Sequence, residues 1–219
     1  MYLIIANMIS PEQLRTAREV LDAAIFKDGR TTAGWHAKEV KNNLQAGRGE
    51  EAVDKLRAML TKQIETNTLF RMFARPRQLT PLILSKYEVG MEYGAHVDDA
   101  IINGMRTDLS FTLFLEDPET YDGGALVLET TAGEDEIKQS AGSMVVYPSN
   151  TLHRVQPVSR GIRRAAVGWA SSFLRNAEHR EILFDLDNTI EELRQLDVPR
   201  RALDRVVKTR SNLLRMWAE

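Results

Sequence analysis

Apolar residues recur at helical spacing near both ends of the chain and at strand spacing between them. The first helix is predicted directly after Ser10-Pro11-Glu12-Gln13, which offers an N-cap serine, a proline at the first helical position and a glutamine three residues after the cap. Lys27-Asp28-Gly29-Arg30 is predicted to end it, and a polar stretch follows over residues 31–49. The apolar positions of this helix and of a second one are Leu14, Ala17, Leu21, Ala24 and Ile25, then Val53, Leu56, Leu60 and Ile64.

After residue 68 the pattern changes to short runs rich in β-branched, leucine and aromatic residues, bounded by proline, glycine or aspartate. Runs of this length and composition favour strands. The predicted strands span residues 69–74, 82–87, 109–115, 125–129, 135–139, 143–147 and 163–171. Several short strands at this spacing are typical of an antiparallel sandwich or barrel.

Beyond Asn176 the chain returns to helical spacing. Two apolar stripes carry this prediction: Ile182, Leu186, Ile190 and Leu193, then Leu203, Val206, Val207, Leu213, Leu214 and Trp217. The sequence therefore predicts an α+β protein with one domain over residues 1–175 and a helical extension over residues 176–219. Because the stripes need cover, either from the β core or from a second subunit, we favour a homo-oligomer that forms through these helices.

Composition narrows the class of protein. With 219 residues, 43% of them hydrophobic, the chain is long enough for one domain with a sizeable core. No run approaches the roughly 20 apolar residues that cross a bilayer, and the first residues lack the features of a signal peptide, so we expect a cytoplasmic protein without membrane contact. The lack of cysteine excludes thiolate zinc sites and a cysteine nucleophile. A net charge of −2 without a basic block argues against nucleic acid as a partner.

A histidine and a carboxylate two residues apart offer metal ligands. In residues 93–98, Tyr-Gly-Ala-His-Val-Asp, an extended backbone would point His96 and Asp98 to the same face. His153 lies far along the chain, at the end of another predicted strand. Two histidines and one carboxylate on one face of an octahedral ion form a facial triad that leaves three positions open. Two of these suit a chelating 2-oxo acid and one suits O₂, so we predict that His96, Asp98 and His153 bind iron.

An arginine follows at a position that suits a co-substrate. Arg163 opens the last predicted strand, shortly after His153. Its guanidinium could bind the distal carboxylate of a 2-oxo dicarboxylic acid through two parallel hydrogen bonds. The hydroxyl of Tyr87, on the strand before the metal-ligand motif, could add a third. We therefore predict that these two residues bind the 2-oxo acid.

Stretches that span most of the chain form a specific set of motifs. They are residues 40–45 (VKNNLQ), 93–98 (YGAHVD), 106–115 (RTDLSFTLFL), 121–124 (YDGG), 152–158 (LHRVQPV), 161–163 (GIR) and 183–187 (LFDLD). They resemble the PKHD-type hydroxylases, bacterial relatives of prolyl 4-hydroxylases that are often linked to iron uptake. The resemblance implies a double-stranded β-helix (jelly-roll) core with N-terminal flanking helices and a C-terminal helical tail. It also implies one Fe(II) per subunit at His96, Asp98 and His153, 2-oxoglutarate at Arg163, and L-ascorbate as reductant.

Four further residues are candidates for the pocket or the substrate: Lys41, Asn43, Arg106 and Trp169. Lys41 and Asn43 lie in a polar loop, where functional residues concentrate, and the family pattern contains this stretch. Arg106 shares a strand face with Asp108, so an ion pair between them is favoured over substrate binding. Trp169, on the last predicted strand, could line the co-substrate pocket or pack in the core.

The predicted function is that of an Fe(II)- and 2-oxoglutarate-dependent dioxygenase that hydroxylates a substrate with O₂ and releases succinate and CO₂. Peptidyl proline and a siderophore-like or other iron-linked small molecule both stay open as substrates. One alternative is a non-catalytic iron-binding or iron-sensing module on the same scaffold, which has no need of Arg163. Another is a cupin-like isomerase or hydrolase, whose sites usually carry more histidines. His36 and His179 lack companions at metal-ligand spacing and are predicted not to bind metal.

Overall fold

The computed structural model describes residues 1–32, 34 and 37–219. The prediction for His36 lies outside the described residues. Within them the chain forms five α-helices: α1 (Pro11–Ala23), α2 (Glu51–Thr66), α3 (Thr68–Ala74), α4 (Ala177–Gln195) and α5 (Arg200–Trp217). None of the helices in this described part is long and apolar enough to span a membrane.

The start of α1 confirms the predicted capping motif. The backbone N–H of Gln13 donates to the Ser10 hydroxyl at 3.2 Å, and the Gln13 side chain accepts from the Ser10 backbone N–H at 2.9 Å. Together these bonds satisfy two backbone donors that a helix start leaves open. The helix ends at Ala23, before the predicted stop, because the chain becomes extended at Ala24 and enters a strand at Phe26.

The larger sheet holds eight antiparallel strands within the described chain. Its strand order is β1-β14-β10-β17-β6-β4-β2, and β5 pairs with β17 beside this path. These strands are β1 (Leu3–Ile5), β2 (Phe26–Asp28), β4 (Leu44–Ala46), β5 (Pro76–Leu79), β6 (Ile83–Tyr87), β10 (Leu109–Phe114), β14 (Met144–Pro148) and β17 (Arg163–Ser172). The predicted strands at 82–87, 109–115, 143–147 and 163–171 are thus confirmed to within about one residue, the accuracy at which strand ends can be assigned.

A smaller sheet faces it, with the order β13-β12-β15-β7-β3. Its strands are β3 (Lys41–Asn42), β7 (Glu92–His96), β12 (Leu126–Thr130), β13 (Gly133–Ile137) and β15 (His153–Val155). Two short ribbons complete the strands: β8 (Ile101–Ile102) with β9 (Met105–Arg106), and β11 (Asp122–Gly123) with β16 (Val158–Arg160). Two opposed antiparallel sheets with flanking helices form the α+β jelly-roll architecture that the resemblance implies.

Strand β10 separates two environments. All six of its residues are buried. Leu109, Phe111 and Leu113 belong to an apolar cluster that includes residues of α1, α2 and α3. Phe114 belongs to a second cluster, which contains residues of the smaller sheet. Because alternate residues of a strand point to opposite faces, the larger sheet is covered by helices on one face and by the smaller sheet on the other.

Two predictions about local structure were wrong. Residues 69–74, predicted as a strand, form α3, whose Phe70, Phe73 and Ala74 are buried at helical spacing. The Asn67 side chain caps this helix by accepting from the Phe70 backbone N–H at 3.0 Å. A short apolar run fits both helical and strand spacing, so its pattern alone does not distinguish the two. Here the Asn67 cap and the surface available for packing favour the helix. The polar stretch at 31–49 was predicted without strands, yet it contains β3 and β4.

The two C-terminal helices contact the core through both polar and apolar side chains. Asp187 on α4 pairs with Arg75, and its second carboxylate oxygen accepts from Arg210 on α5 at 2.7 Å. The predicted apolar stripe on α4 was partly wrong, because Leu183 and Phe184 are buried and Ile182 is exposed. In the described chain α5 has no buried residue. The division into residues 1–175 and 176–219 stays a prediction.

Candidate metal centre

Two histidines meet where two strands of the smaller sheet pair. Strand β7 ends at His96, β15 begins at His153, and the two residues are direct partners in the antiparallel register. Their ring centroids lie 4.3 Å apart. Both side chains are buried, with 3% and 6% of their surfaces exposed. The strand pairing therefore brings together two imidazoles that are far apart in the sequence.

Asp98 completes the cluster from the turn after β7. Its two carboxylate oxygens lie 3.9 Å from Nε2 of His96 and 3.8 Å from Nε2 of His153. One ligand atom from each of the three residues lies within 4.8 Å of the others. This spacing lets one ion bind all three atoms, and two imidazole nitrogens with one carboxylate oxygen suit a mononuclear iron site with open positions.

Backbone carbonyls hold both imidazoles in a metal-binding tautomer. Nδ1 of His96 lies 2.8 Å from the Gly94 carbonyl, and Nδ1 of His153 lies 2.9 Å from the Thr151 carbonyl. A carbonyl only accepts, so Nδ1 carries the proton and Nε2 keeps the lone pair that faces Asp98. Burial, followed by the charge of the neighbouring His153, lowers the pKa of His96 to about 4. The His96 ring is therefore neutral at neutral pH, as a metal ligand must be.

A serine pair that the sequence reasoning missed orients Asp98. The Ser110 hydroxyl donates to a carboxylate oxygen of Asp98 at 2.6 Å, and the Ser149 hydroxyl lies 2.9 Å from that of Ser110. A signal was present, since Ser110 and Thr112 alternate within an otherwise apolar strand. Both line the same pocket as the three clustered residues, together with Tyr147, whose ring centroid lies 5.2 Å from that of His153.

Arg163 is buried without a counter-charge. It is 1% exposed and lies opposite Tyr87 in the pairing of β17 with β6. Its guanidinium carbon lies 5.1 Å from the Tyr87 ring centroid and 5.8 Å from that of Phe114. Within the described chain, Arg163 forms no ion pair with a carboxylate, and its Nε has no hydrogen-bond partner. Because an unpaired buried charge is costly, the arrangement suits an anionic ligand.

The glycines after Tyr121 make room for this arginine. Gly124 adopts a φ of 63°, and a Cβ placed there would lie 3.1 Å from Cδ of Arg163 and 3.1 Å from the Tyr121 ring. Only glycine accepts both this backbone conformation and this approach without strain. Burial raises the pKa of Tyr87, against the opposing charge of Arg163, so its hydroxyl stays protonated and can donate.

A pocket of about 810 Å³, its open mouth included, connects these residues. Its lining includes His96, Asp98, His153, Arg163, Tyr87, Lys41, Asn43 and Trp169. Of the four further candidates from the sequence, Lys41, Asn43 and Trp169 thus line the pocket. Asp99 also lines it together with its neighbour Asp98, because β7 ends at His96 and strand alternation stops there.

Arg106 does not belong to the described pocket lining. Its Nε donates to both carboxylate oxygens of Asp108 at 2.8 and 3.1 Å, and another nitrogen donates to the Ser172 carbonyl at 3.1 Å. The ion pair favoured from the sequence is therefore present, and it occupies the guanidinium that a substrate would need. His179 lies outside the cluster and stacks on Trp217, with ring centroids 4.0 Å apart.

Comparison with known proteins identifies relatives over the whole chain. A model of the 2OG-Fe(II) oxygenase superfamily matches residues 82–171, and a model of the PKHD-type hydroxylase C-terminal domain matches residues 178–219. A PKHD-type hydroxylase of Synechococcus sp. (strain JA-2-3B'a(2-13)) is 45% identical over 223 residues and covers 100% of both chains. Another from Maricaulis maris (strain MCS10) is 48% identical over 208 residues, covering 95% of this chain and 94% of its own.

Solved structures show the same fold. A Pseudomonas putida prolyl-4-hydroxylase superposes with a TM-score of 0.56 at 23% identity, over 78% of this chain and 92% of its own. A prolyl hydroxylase from Trichoplax adhaerens, in complex with a peptide fragment of the hypoxia inducible factor oxygen degradation domain, gives 0.56 at 15% identity, over 77% and 82%.

Proposed function

The chain belongs to the PKHD-type hydroxylases of the 2OG-Fe(II) oxygenase superfamily, and on that premise we propose that it hydroxylates its substrate with an Fe(II) bound by His96, Asp98 and His153. The observation that carries the proposal is the cluster itself. Two imidazoles direct Nε2 toward one carboxylate, and all three ligand atoms lie within 4.8 Å.

The same proposal assigns 2-oxoglutarate to Arg163 and Tyr87. The guanidinium is buried without a carboxylate partner in the described chain and lines the same pocket as the metal ligands. A distal carboxylate would neutralise it through charge-assisted hydrogen bonds, and the Tyr87 hydroxyl could donate to the same group. A 2-oxo acid without that carboxylate would leave Arg163 unpaired, so the residue would also select the co-substrate.

When bound, Fe(II) and 2-oxoglutarate would supply oxidation by O₂, in which 2-oxoglutarate becomes succinate and CO₂, one oxygen atom enters succinate and the other enters a C–H bond of the substrate. The protein would contribute position and environment. Ser110 holds the Asp98 carboxylate, the carbonyls of Gly94 and Thr151 hold the two imidazoles, and the burial of the site limits access of water.

The substrate is proposed at the level of class. The solved prolyl hydroxylases of the same fold, one of them with a bound peptide fragment, support peptidyl proline as one candidate. A siderophore-like or iron-linked small molecule is the other. L-ascorbate is proposed as the reductant that restores Fe(II) after uncoupled turnover.

We also propose that two copies associate through the C-terminal helices. Within the described chain α5 buries no residue, while Val207 and Met216 are 40% and 73% exposed. Sedimentation velocity would test this proposal: a monomer at micromolar concentration contradicts it, and a dimer that Met216→Lys dissociates supports it.

The enzymatic proposal is tested by succinate formation. The protein is loaded anaerobically with Fe(II), and O₂, 2-oxoglutarate and ascorbate are then added. We expect wild-type protein to form succinate even without substrate, His96→Ala to form none, and Arg163→Ala to need about 10- to 100-fold more 2-oxoglutarate, the scale of charged hydrogen bonds. Arg154→Ala is the matched control, because Arg154 pairs with Glu134 outside the pocket. Stoichiometric Fe(II) without 2-oxoglutarate binding or succinate would overturn the proposal and favour the iron-binding module.

A further inference from the structure

Three cationic side chains are buried in the described chain: Lys41, Arg163 and Arg180. Arg180 is satisfied by backbone, since it donates to the carbonyls of Leu174 at 2.7 Å and Arg175 at 3.0 Å. The other two line the pocket at the metal centre. Arg163 has a proposed partner in 2-oxoglutarate, so Lys41 is the buried cation whose partner is still to be found.

Among the described residues, the surroundings of Lys41 leave most of its hydrogen-bonding capacity unused. Its ammonium lies 3.2 Å from the Thr32 hydroxyl and 4.9 Å from the Tyr93 ring centroid. No carboxylate of the described chain lies within 4 Å of it, and Ala33, Trp35 and His36 carry none. An ammonium has three N–H donors, and the Thr32 contact uses one. At 7% exposure, water replaces the missing partners poorly.

The charge of Lys41 also lacks a counterpart once the proposed site is filled. Summed over the site, the three negative charges of Asp98 and dianionic 2-oxoglutarate equal the three positive charges of the divalent ion and Arg163, so the charge of Lys41 is left over. Asp99 lines the pocket as well, but it is exposed, so water screens its charge. Burial lowers the pKa of Lys41 to about 8, and the charges of Asp98 and Asp28 offset this only in part.

We propose that Lys41 binds a carboxylate of the primary substrate, so that the substrate is an acid rather than a neutral molecule. The inference rests on the proposed function, which assigns the other carboxylates in the site. A carboxylate carries the single negative charge that one ammonium can match. A phosphate carries up to two at neutral pH, and Lys41 and Arg163 are the only lysine or arginine residues in the described pocket lining. The carboxylate could belong to a small acid or to an acidic peptide.

Binding to Lys41 can be observed directly by NMR. Full-length protein carrying ¹³Cε-labelled lysine is loaded with Zn(II) in place of Fe(II) and saturated with 2-oxoglutarate at pH 7. The Lys41 signal is the one absent from Lys41→Arg. The probes are N-acetylproline with its amide for the small-acid source, and blocked Ala-Pro-Glu with blocked Ala-Pro-Gln for the peptide source.

We expect the acid of at least one pair, and not its neutral partner, to shift the Lys41 signal. Lys41→Met should weaken binding of that acid at least about tenfold, the scale of one charged hydrogen bond, while Lys41→Arg retains it. Lys38→Met is the control, since Lys38 is exposed and outside the described pocket lining. The affinity for 2-oxoglutarate should stay nearly constant in Lys41→Met.

Three outcomes would overturn the inference: no acid shifts the signal, the neutral partners bind equally well, or Lys41→Met loses 2-oxoglutarate as Arg163→Ala does. In the last case Lys41 binds the co-substrate. These outcomes are separable from failure of the proposed function, because wild-type protein that forms succinate supports that function whatever Lys41 binds.

Discussion

The two faces of the larger sheet differ in how completely their side chains are satisfied. On the face covered by α1, α2 and α3, apolar residues such as Leu60 and Leu113 are 0% exposed. On the face toward the smaller sheet lie Ser110, Arg163 and Trp169, which line the pocket. Four of the five buried polar atoms without a partner in the described chain lie in or beside that pocket: Asn43 Oδ1, Tyr121 OH, Arg163 Nε and Trp169 Nε1.

This difference separates stability from function. Apolar burial on the helix face favours folding, whereas each unsatisfied polar group on the pocket face costs about 1–3 kcal/mol until a ligand satisfies it. Substitutions on the first face should therefore change the free energy of unfolding and leave ligand binding intact. Substitutions on the second face should weaken ligand binding without lowering the free energy of unfolding.

The largest expected effect is on the pocket face. His153→Ala removes one of three metal ligands, and we expect bound Fe(II) to fall from one per chain toward zero and succinate formation to be lost. The melting temperature of the metal-free protein should change little, because His153 lines the pocket and belongs to neither apolar cluster. Metal analysis and calorimetry measure the two quantities. His179→Ala, outside the cluster, should keep its metal; equal metal loss in both variants would contradict the assignment.

The reverse pattern is expected on the helix face. Leu60→Ala leaves a cavity in a fully buried position and should lower the free energy of unfolding by about 2–5 kcal/mol. Metal content per folded chain should stay at one. Urea denaturation gives the stability, with Leu69→Ala as the exposed-leucine control at 43% exposure. A tenfold loss of metal affinity in Leu60→Ala would show that the faces are coupled.

Arg163→Met sharpens the comparison, because it should raise the stability of the protein while weakening its binding of 2-oxoglutarate. Replacing a buried guanidinium that has no counter-charge by an apolar side chain of similar length should raise the stability of the metal-free protein by about 1–3 kcal/mol. Binding of 2-oxoglutarate to the metal-loaded protein should weaken strongly. A loss of stability would mean that Arg163 supports the fold in its own right.

The smallest effect concerns the charge of Lys41. Burial lowers the pKa of Lys41 to about 8, so its ammonium persists below that pH and is lost as the pH rises through it. In metal-free protein, the midpoint of its ¹³Cε titration should lie near pH 8, about two pH units below that of an ordinary lysine side chain. A midpoint near 10.5 would show that the ammonium has more partners than the pocket geometry provides.

Local sequence signals were reliable where the structure itself is local. The capping box at Ser10 and Gln13 was readable because its four groups lie within one turn. Strands β6, β10, β14 and β17 were readable from their composition. The structure of the short run at 69–74 could not be predicted in this way, because six residues fit both helical and strand spacing. The helix there depends on the Asn67 cap and on packing of Phe70 against Phe111.

Sequence by itself determined the chemistry that is available: two histidines and a carboxylate in family motifs, an arginine in the last strand, and no cysteine. Tertiary structure alone decided which of these groups meet and which lack partners. It paired His153 with His96 across two strands, placed Ser110 against Asp98, engaged Arg106 with Asp108, and left Lys41 and Arg163 facing the pocket without carboxylates in the described chain. The reason is physical, because propensity and capping act over a few residues, whereas burial and charge pairing depend on neighbours from distant parts of the chain.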